Sequence, residues 1–195
     1  MKQINGKFAN ARRGKESKRR RNTLLIGFLM IGGGILILAA IVLYSITNSL
    51  AGNPTRVKIG APLGNFTLTD LTGKSAHLSD YAGKAVLINA WATWCPPCKA
   101  EMPTLNQYYQ AHRNQGFVIL AVNAGDSQNT TEDFVSQNGL SFPVLLDPGA
   151  RVLDAMGIND FPTSVLIGRD GVVKTVHLGS YTSQTLESEI TPFLQ

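Results

Sequence analysis

The chain has 195 residues, a formal net charge of +5 and only two cysteines. That length holds one domain and a tail, and two cysteines exclude a scaffold stapled by several disulfides. The positive charge is local. Nine lysines and arginines up to Arg21 face a single acid, Glu16, whereas the remaining nine face twelve acids and leave that part at −3.

A basic tail by itself would fit nucleic acid. Here residues 24–46 follow it at once without a charge, and a helix of roughly 20 apolar residues crosses a bilayer core. We therefore expect no nucleic-acid partner. Residues 1–23 are read as a basic cytoplasmic tail, 24–46 as a transmembrane signal-anchor helix, 47–57 as a linker and 58–195 as the domain. The positive-inside rule places that domain on the extracytoplasmic side of the cytoplasmic membrane. A cleaved signal peptide competes with this reading, with Ser49-Leu50-Ala51 as its cleavage site. Its apolar core would be unusually long, since such cores run about 7–15 residues.

Within the domain, Asn65 to Thr69 alternates and reads as a strand, which Leu71-Thr72-Gly73-Lys74 turns back into a second strand through His77. Leu78 to Lys84 reads as a short helical or turn segment. Ala85 to Trp91 is a nearly continuous apolar run, the pattern of a strand covered on both faces. A helix is expected over Lys99 to His112, kinked at Pro103 because proline lacks the N–H of the helical ladder. Phe117 to Val122 is a second buried strand. Thr130-Thr131 would cap the next helix and Asn138-Gly139 would close it. Strands over Pro143 to Asp147, Thr163 to Ile167 and Val172 to His177, a short helix over Ala150 to Met156 and a final helix over Thr182 to Phe193 complete the chain. The order predicts an α/β fold, one mixed central sheet with helices on both faces.

Both cysteines lie in Trp94-Cys95-Pro96-Pro97-Cys98, between a strand and a helix N-terminus. A haem-attachment site needs histidine directly after the second cysteine, and Lys99 stands there. Zinc needs two further ligands, and His77, His112 and His177 lack a paired spacing. A redox pair with no metal and no cofactor beyond its own disulfide remains. A helix N-terminus offers Cys95 unsatisfied N–H groups and the positive end of a dipole, which favour thiolate. Pro96 and Pro97 supply no N–H, so the Cys98 N–H is left as the nearest backbone donor to the Cys95 sulfur. A thiolate stabilised less than in a strong oxidant gives a lower potential, hence a reductant.

Trp91 to Pro103, Trp-Ala-Thr-Trp-Cys-Pro-Pro-Cys-Lys-Ala-Glu-Met-Pro, resembles the active-site run of TlpA/ResA-like membrane-anchored thiol–disulfide oxidoreductases. These belong to the thioredoxin superfamily and are related to AhpC/TSA proteins. The resemblance covers about residues 58–195 and implies a thioredoxin-like fold with an N-terminal β-hairpin extension. Pro103 matches the kink proline of such helices. Phe161-Pro162 resembles the family's cis-proline segment beside the dithiol, and Val122 to Ser127 resembles the run that carries an acidic residue, here Asp126 where relatives have Glu.

The resemblance implies Cys95 as exposed nucleophile and Cys98 as the resolving thiol. It also implies a substrate surface of Trp94, Pro96, Pro97, Phe161 and Pro162. Asp126 would relay the Cys98 proton or only make a loop hydrogen bond, and both readings stay open. The implied partners are disulfide-containing extracytoplasmic proteins, apocytochrome c among them, and a DsbD/CcdA-type membrane electron donor. An oxidase or isomerase on the same fold is the alternative. A copper metallochaperone would use a longer Cys-x-x-x-Cys spacing. A peroxiredoxin would need Pro and Thr where Ile88 and Ala92 stand. Trp91 is expected in the core, Glu101 as a first-turn dipole partner or surface charge ahead of a catalytic role, Tyr108 and Tyr109 as amphipathic-helix residues, and His112 and His177 at the surface.

Overall fold

The computed structural model describes residues 55–194 together with Gly34, Ile37 and Leu38. The chain divides into two units, Met1–Leu50 and Ala51–Gln195. The expected membrane span over residues 24–46 lies outside the described residues, apart from those three, which are helical. Among the described residues no helix is long and apolar enough to cross a membrane.

The domain runs β1 (Thr67–Asp70), β2 (Ser75–His77), β3 (Ala85–Trp91), α1 (Pro96–His112), β4 (Phe117–Ala124), α2 (Gln128–Gln137), β5 (Val144–Asp147), α3 (Arg151–Met156), β6 (Thr163–Ile167), β7 (Val173–Leu178) and α4 (Ser183–Glu189). Seven strands form one sheet in the order β2-β1-β5-β4-β3-β6-β7. The β3–β4 and β4–β5 pairs are parallel and the others antiparallel. The two apolar runs become the central strands β3 and β4, and every residue of both is buried. Strands covered on both faces cannot alternate, so their sequences run continuously apolar.

Successive side chains of β3 point to opposite faces. Leu87 and Trp91 pack with Met102 and Leu105 of α1 and Leu186 of α4. Val86, Ile88 and Ala90 pack on the other face with Leu153 and Met156 of α3 and with Leu63 and Phe66. The two layers hold the end of β3 in place, and the cysteine loop leaves from that end.

Several boundaries differ from expectation. Residues 55–57 are no linker: Thr55 Oγ1 accepts from the Gly64 N–H at 2.8 Å and the Val57 N–H donates to the Met156 carbonyl at 2.9 Å. The chain there is tied to α3, so the domain extends upstream of residue 58. Helix α2 opens on Ser127, whose Oγ accepts from the Thr130 N–H at 3.2 Å. The threonines expected as caps therefore fall inside the helix. The final helix stops at Glu189, and a separate 3-10 turn covers Thr191–Phe193. Pro192 accounts for the break, since it has no N–H to donate back to Ser188.

Helix α3 is capped from a distance. Its N-cap residue, Ala150, has no side-chain acceptor and sits at a φ of 55°. The buried Asp147 at the end of β5 places Oδ2 3.0 Å from both the Val152 and the Leu153 N–H groups. Asp147→Ala is expected to lower stability by about 1–2 kcal/mol through the lost cap. Urea unfolding of the oxidised protein checks this. A reduced midpoint at unchanged slope is the expected result, with partial recovery in Asp147→Asn.

Candidate active site

Helix α1 begins where the cysteine loop ends. Cys95 is its N-cap, in extended conformation, and Pro96 and Pro97 fill the first two helical positions. Proline suits those positions because their N–H groups have no partner within the helix. The first available donor is the Cys98 N–H, which lies 3.3 Å from the Cys95 sulfur. The sulfur thus occupies the place that a serine or aspartate oxygen fills in an ordinary cap. Cys95 and Cys98 are joined as a disulfide. Cys95 is 4% exposed and Cys98 fully buried. The expected exposed nucleophile is therefore nearly covered in the oxidised state, yet it is the sulfur nearer to solvent.

The loop ahead of Cys95 is held by Asp126. Its Oδ2 accepts from the Thr93 N–H at 2.7 Å and from Asn123 Nδ2 at 2.8 Å. The Asp126 N–H is bonded to Asn123 Oδ1 at 3.2 Å. These contacts make Asp126 a staple between the β4–α2 loop and the β3–α1 loop. Of its two readings, geometry shows the loop hydrogen bond.

The expected substrate surface is assembled from two loops. Ala90 of β3 pairs with Thr163 of β6, so Pro162 sits beside the end of β3. The Phe161–Pro162 bond is cis, and Pro162 is buried. Trp94 is 63% exposed and meets the half-buried Phe161 edge-on at 5.9 Å between ring centres. Pro96 and Pro97 are exposed, and the Pro97 carbonyl accepts from Ser180 Oγ at 3.1 Å. A cavity of about 300 Å³ lies elsewhere, at the other end of the strands among Tyr81, Lys84, Val86 and Arg169.

A buried polar cluster centres on Glu101 of α1, and its members are not expected together from the sequence. Glu101 is 2% exposed. Its Oε1 accepts from Asn89 Nδ2 at 2.9 Å and its Oε2 from the Tyr181 N–H at 2.8 Å. Asn89 also donates to Ser164 Oγ at 3.0 Å across the β3–β6 pair. Burial pushes the Glu101 carboxyl above its ordinary value, against the pull of the two hydrogen bonds and of His177. Glu101 is thus no surface charge. It stands three positions after Cys98, and residues so spaced share a helix face. The legible signal was that spacing from a buried cysteine. The competing expectation, an acid in the opening turns facing water and the dipole, outweighed it.

His177 also departs from expectation. It is half-buried, stacked on Tyr181 and bonded to Glu189. Trp91 lies in the core as expected, with its Nε1 unpartnered. Tyr108 is buried and bonds Thr191 Oγ1 at 2.9 Å. Among the described residues no group of three or more His, Cys, Asp or Glu side chains is placed to hold a metal ion. What the arrangement offers is a two-electron thiol–disulfide couple at a helix N-terminus, one cysteine with surface left, and a buried carboxyl three positions after the other on the same helix.

Comparison with known proteins agrees with this chemistry. Residues 59–176 match the model of the AhpC/TSA family. The chain is 39% identical to the thiol-disulfide oxidoreductase ResA of Geobacillus kaustophilus over 80% of its length and 90% of that protein's. It is 36% identical to ResA of Bacillus thuringiensis over 89% of its length and 99% of the relative's. Its fold is similar to a crystal structure from Chlorobium tepidum assigned as the thiol:disulfide interchange protein DsbE, with a TM-score of 0.67 and 32% identity over 71% of this chain and 99% of that one. The chain has a thioredoxin-like fold, and it belongs to the AhpC/TSA family and, within it, to the ResA-like thiol–disulfide oxidoreductases.

Proposed function

We propose that this oxidoreductase works as a reductase of protein disulfides, anchored in the cytoplasmic membrane with its domain on the extracytoplasmic side. The observation that carries the direction is the cap of α1. With Pro96 and Pro97 in the first two positions, the Cys98 N–H is the hydrogen bond found on the Cys95 sulfur. A thiolate held by few donors is stabilised less, and a less stabilised reduced form gives a lower potential. The basic tail ahead of an uncharged segment supports the location. The match to Bacillus thuringiensis ResA supports the segment itself, because 89% of this chain reaches upstream of Thr55.

In the reaction, the Cys95 thiolate attacks one sulfur of a substrate disulfide. A mixed disulfide forms, and the other substrate sulfur leaves as thiolate and takes a proton from water. The Cys98 thiol then passes its proton to the Glu101 carboxylate and attacks the Cys95 sulfur. The Cys95–Cys98 bond forms, the mixed disulfide breaks, and the second substrate sulfur leaves to be protonated. The substrate gains two electrons and the dithiol loses two. A second dithiol of DsbD/CcdA type in the membrane returns them. Trp94, Phe161 and Pro162 lie at the end of β3 from which the cysteine loop leaves, a surface suited to an exported polypeptide such as apocytochrome c. Asp126 holds the Thr93 backbone and so positions the loop.

Equilibration with glutathione tests the direction. A potential near that of thioredoxin, about −270 mV, is expected, and one near that of DsbA, about −120 mV, overturns the reductase reading. In cells, Cys98→Ser should accumulate mixed disulfides through Cys95 with exported proteins. Recovering none, where a known reductase trapped in the same way yields them, rules out the proposed sequence of steps.

Glu101→Gln addresses the proton acceptor. Loss of a positioned general base costs on the order of 10²-fold, so resolution of a preformed Cys95 mixed disulfide should slow by about that factor. Alkylation of Cys95 by iodoacetamide should change far less. Stopped-flow measurement of both rates checks the pair of outcomes.

A further inference from the structure

The β7–α4 connection carries a group of titratable side chains that the exchange steps leave unused. The His177 ring stacks on Tyr181 at 4.0 Å with 15° between planes. Its Nδ1 lies 3.1 and 3.3 Å from the two oxygens of Glu189. The Tyr181 hydroxyl donates to the same carboxylate at 3.2 Å, and burial together with Glu189 pushes that hydroxyl far up, so it stays a donor. The Tyr181 ring is therefore gripped by β7 on one side and α4 on the other. Its backbone N–H, on the inner side, is the group bound to Glu101 Oε2.

The groups that face this cluster can be named element by element. Helix α1 contributes Glu101, Cys98 and Tyr108, β3 contributes the neutral Asn89, and β7 contributes His177. Tyr181 lies in the connection and Glu189 on α4. Among them His177 is the one side chain able to carry a positive charge, and that charge favours the ionised form of Glu101. With the ring protonated, the His177–Glu189 pair is neutral overall. With the ring neutral, the pair presents a net negative charge to the interior, which disfavours a second carboxylate there.

We propose that His177 is a positioning residue for the exchange reaction: paired with Glu189 it clamps Tyr181 over Glu101, and its charge sets the pH at which Glu101 accepts and releases a proton. The inference rests on Glu101 being the proton acceptor for Cys98. It adds a charge-bearing partner on β7, about eighty residues along the chain from the dithiol.

The test is a titration of Glu101 itself, by carboxyl-carbon NMR of the reduced full-length protein in detergent, with the pH profile of mixed-disulfide resolution recorded alongside. His177→Phe keeps a ring against Tyr181 but fixes the pair as negative. His177→Arg keeps a planar group and a bond to Glu189 but fixes the pair as neutral. The Glu101 midpoint is expected to move to higher pH in His177→Phe and to stay at or below the wild-type value in His177→Arg, with the rate profile following each. His177→Gln, uncharged and still able to donate to Glu189, gives the same upward shift where the Phe variant does not fold.

An unmoved midpoint in the uncharged variants overturns the proposal. So does an equal upward shift in His177→Arg, which would trace the effect to a loosened clamp and not to charge. Midpoints that move as stated while the rate profile stays fixed overturn Glu101 as the proton acceptor, and the inference built on it. That failure is distinct from the first two, because the midpoint is read without reference to activity.

Discussion

The position of the dithiol depends on the passage from β3 to α1. All seven residues of β3 are buried, between β4 on one side and β6 on the other, so the strand cannot slide. The loop that leaves it is fixed by the Thr93–Asp126 bond, and the Cys95 N–H returns to the Ala92 carbonyl at 3.2 Å. These constraints deliver a sulfur to the cap of a helix. A cap oxygen stabilises a helix because it meets N–H groups at the positive end of the dipole. The same two effects stabilise a thiolate. Helix capping and redox tuning are therefore one interaction here, and the two prolines limit how strong it is.

Glu101 acts against that interaction from below. A carboxylate taken out of water costs several kcal/mol unless hydrogen bonds replace hydration. Asn89 and Tyr181 provide two, and burial still pushes the carboxyl upward. A raised carboxyl holds a proton at a pH where an exposed glutamate has lost it, which suits a group that must both accept and release one. Glu101, Asn89 and Tyr181 thus form one buried polar set on and around the dithiol helix. The β7–α4 connection completes this set. It touches the dithiol helix through Ser180 and Pro97 and the carboxyl through the Tyr181 backbone.

Much of this was legible in the sequence, for identifiable reasons. Strands β3 and β4 announce themselves because burial on both faces requires unbroken apolar runs, and the Asp170-Gly171 turn fixes the β6–β7 hairpin. The Cys98 N–H contact followed from proline chemistry alone. What escaped was long-range. Glu101 looks like any acid near a helix start, because its burial is decided by Asn89 twelve positions before it and Tyr181 eighty after it. His177 sits among four consecutive half-buried residues of β7, a pattern that does not reveal a partner on α4. Ser127 is masked as a cap because Thr130 and Thr131 carry the same hydroxyl chemistry three and four residues later. In each case a local signal was correct in kind, and the tertiary partner determined where it applied.

The burial of the two sulfurs separates two properties that are easily merged. Which way electrons flow is a matter of relative stability, set at the cap of α1 and by the charges around Glu101. Which sulfur meets the partner is a matter of access. Cys98 has no exposed surface, whereas Cys95 keeps 4%, and Trp94 and the Phe161–Pro162 segment lie at the same end of β3 as the cysteine loop. An incoming thiolate or disulfide therefore meets Cys95 first, whether the protein is giving or receiving electrons. A mixed disulfide through Cys95 is thus common to both half-reactions. On the proposed reading, the exposed Trp94 contributes to partner choice independently of the partner's potential. Thermodynamic direction and partner choice rest on different residues, so either can change without disturbing the other.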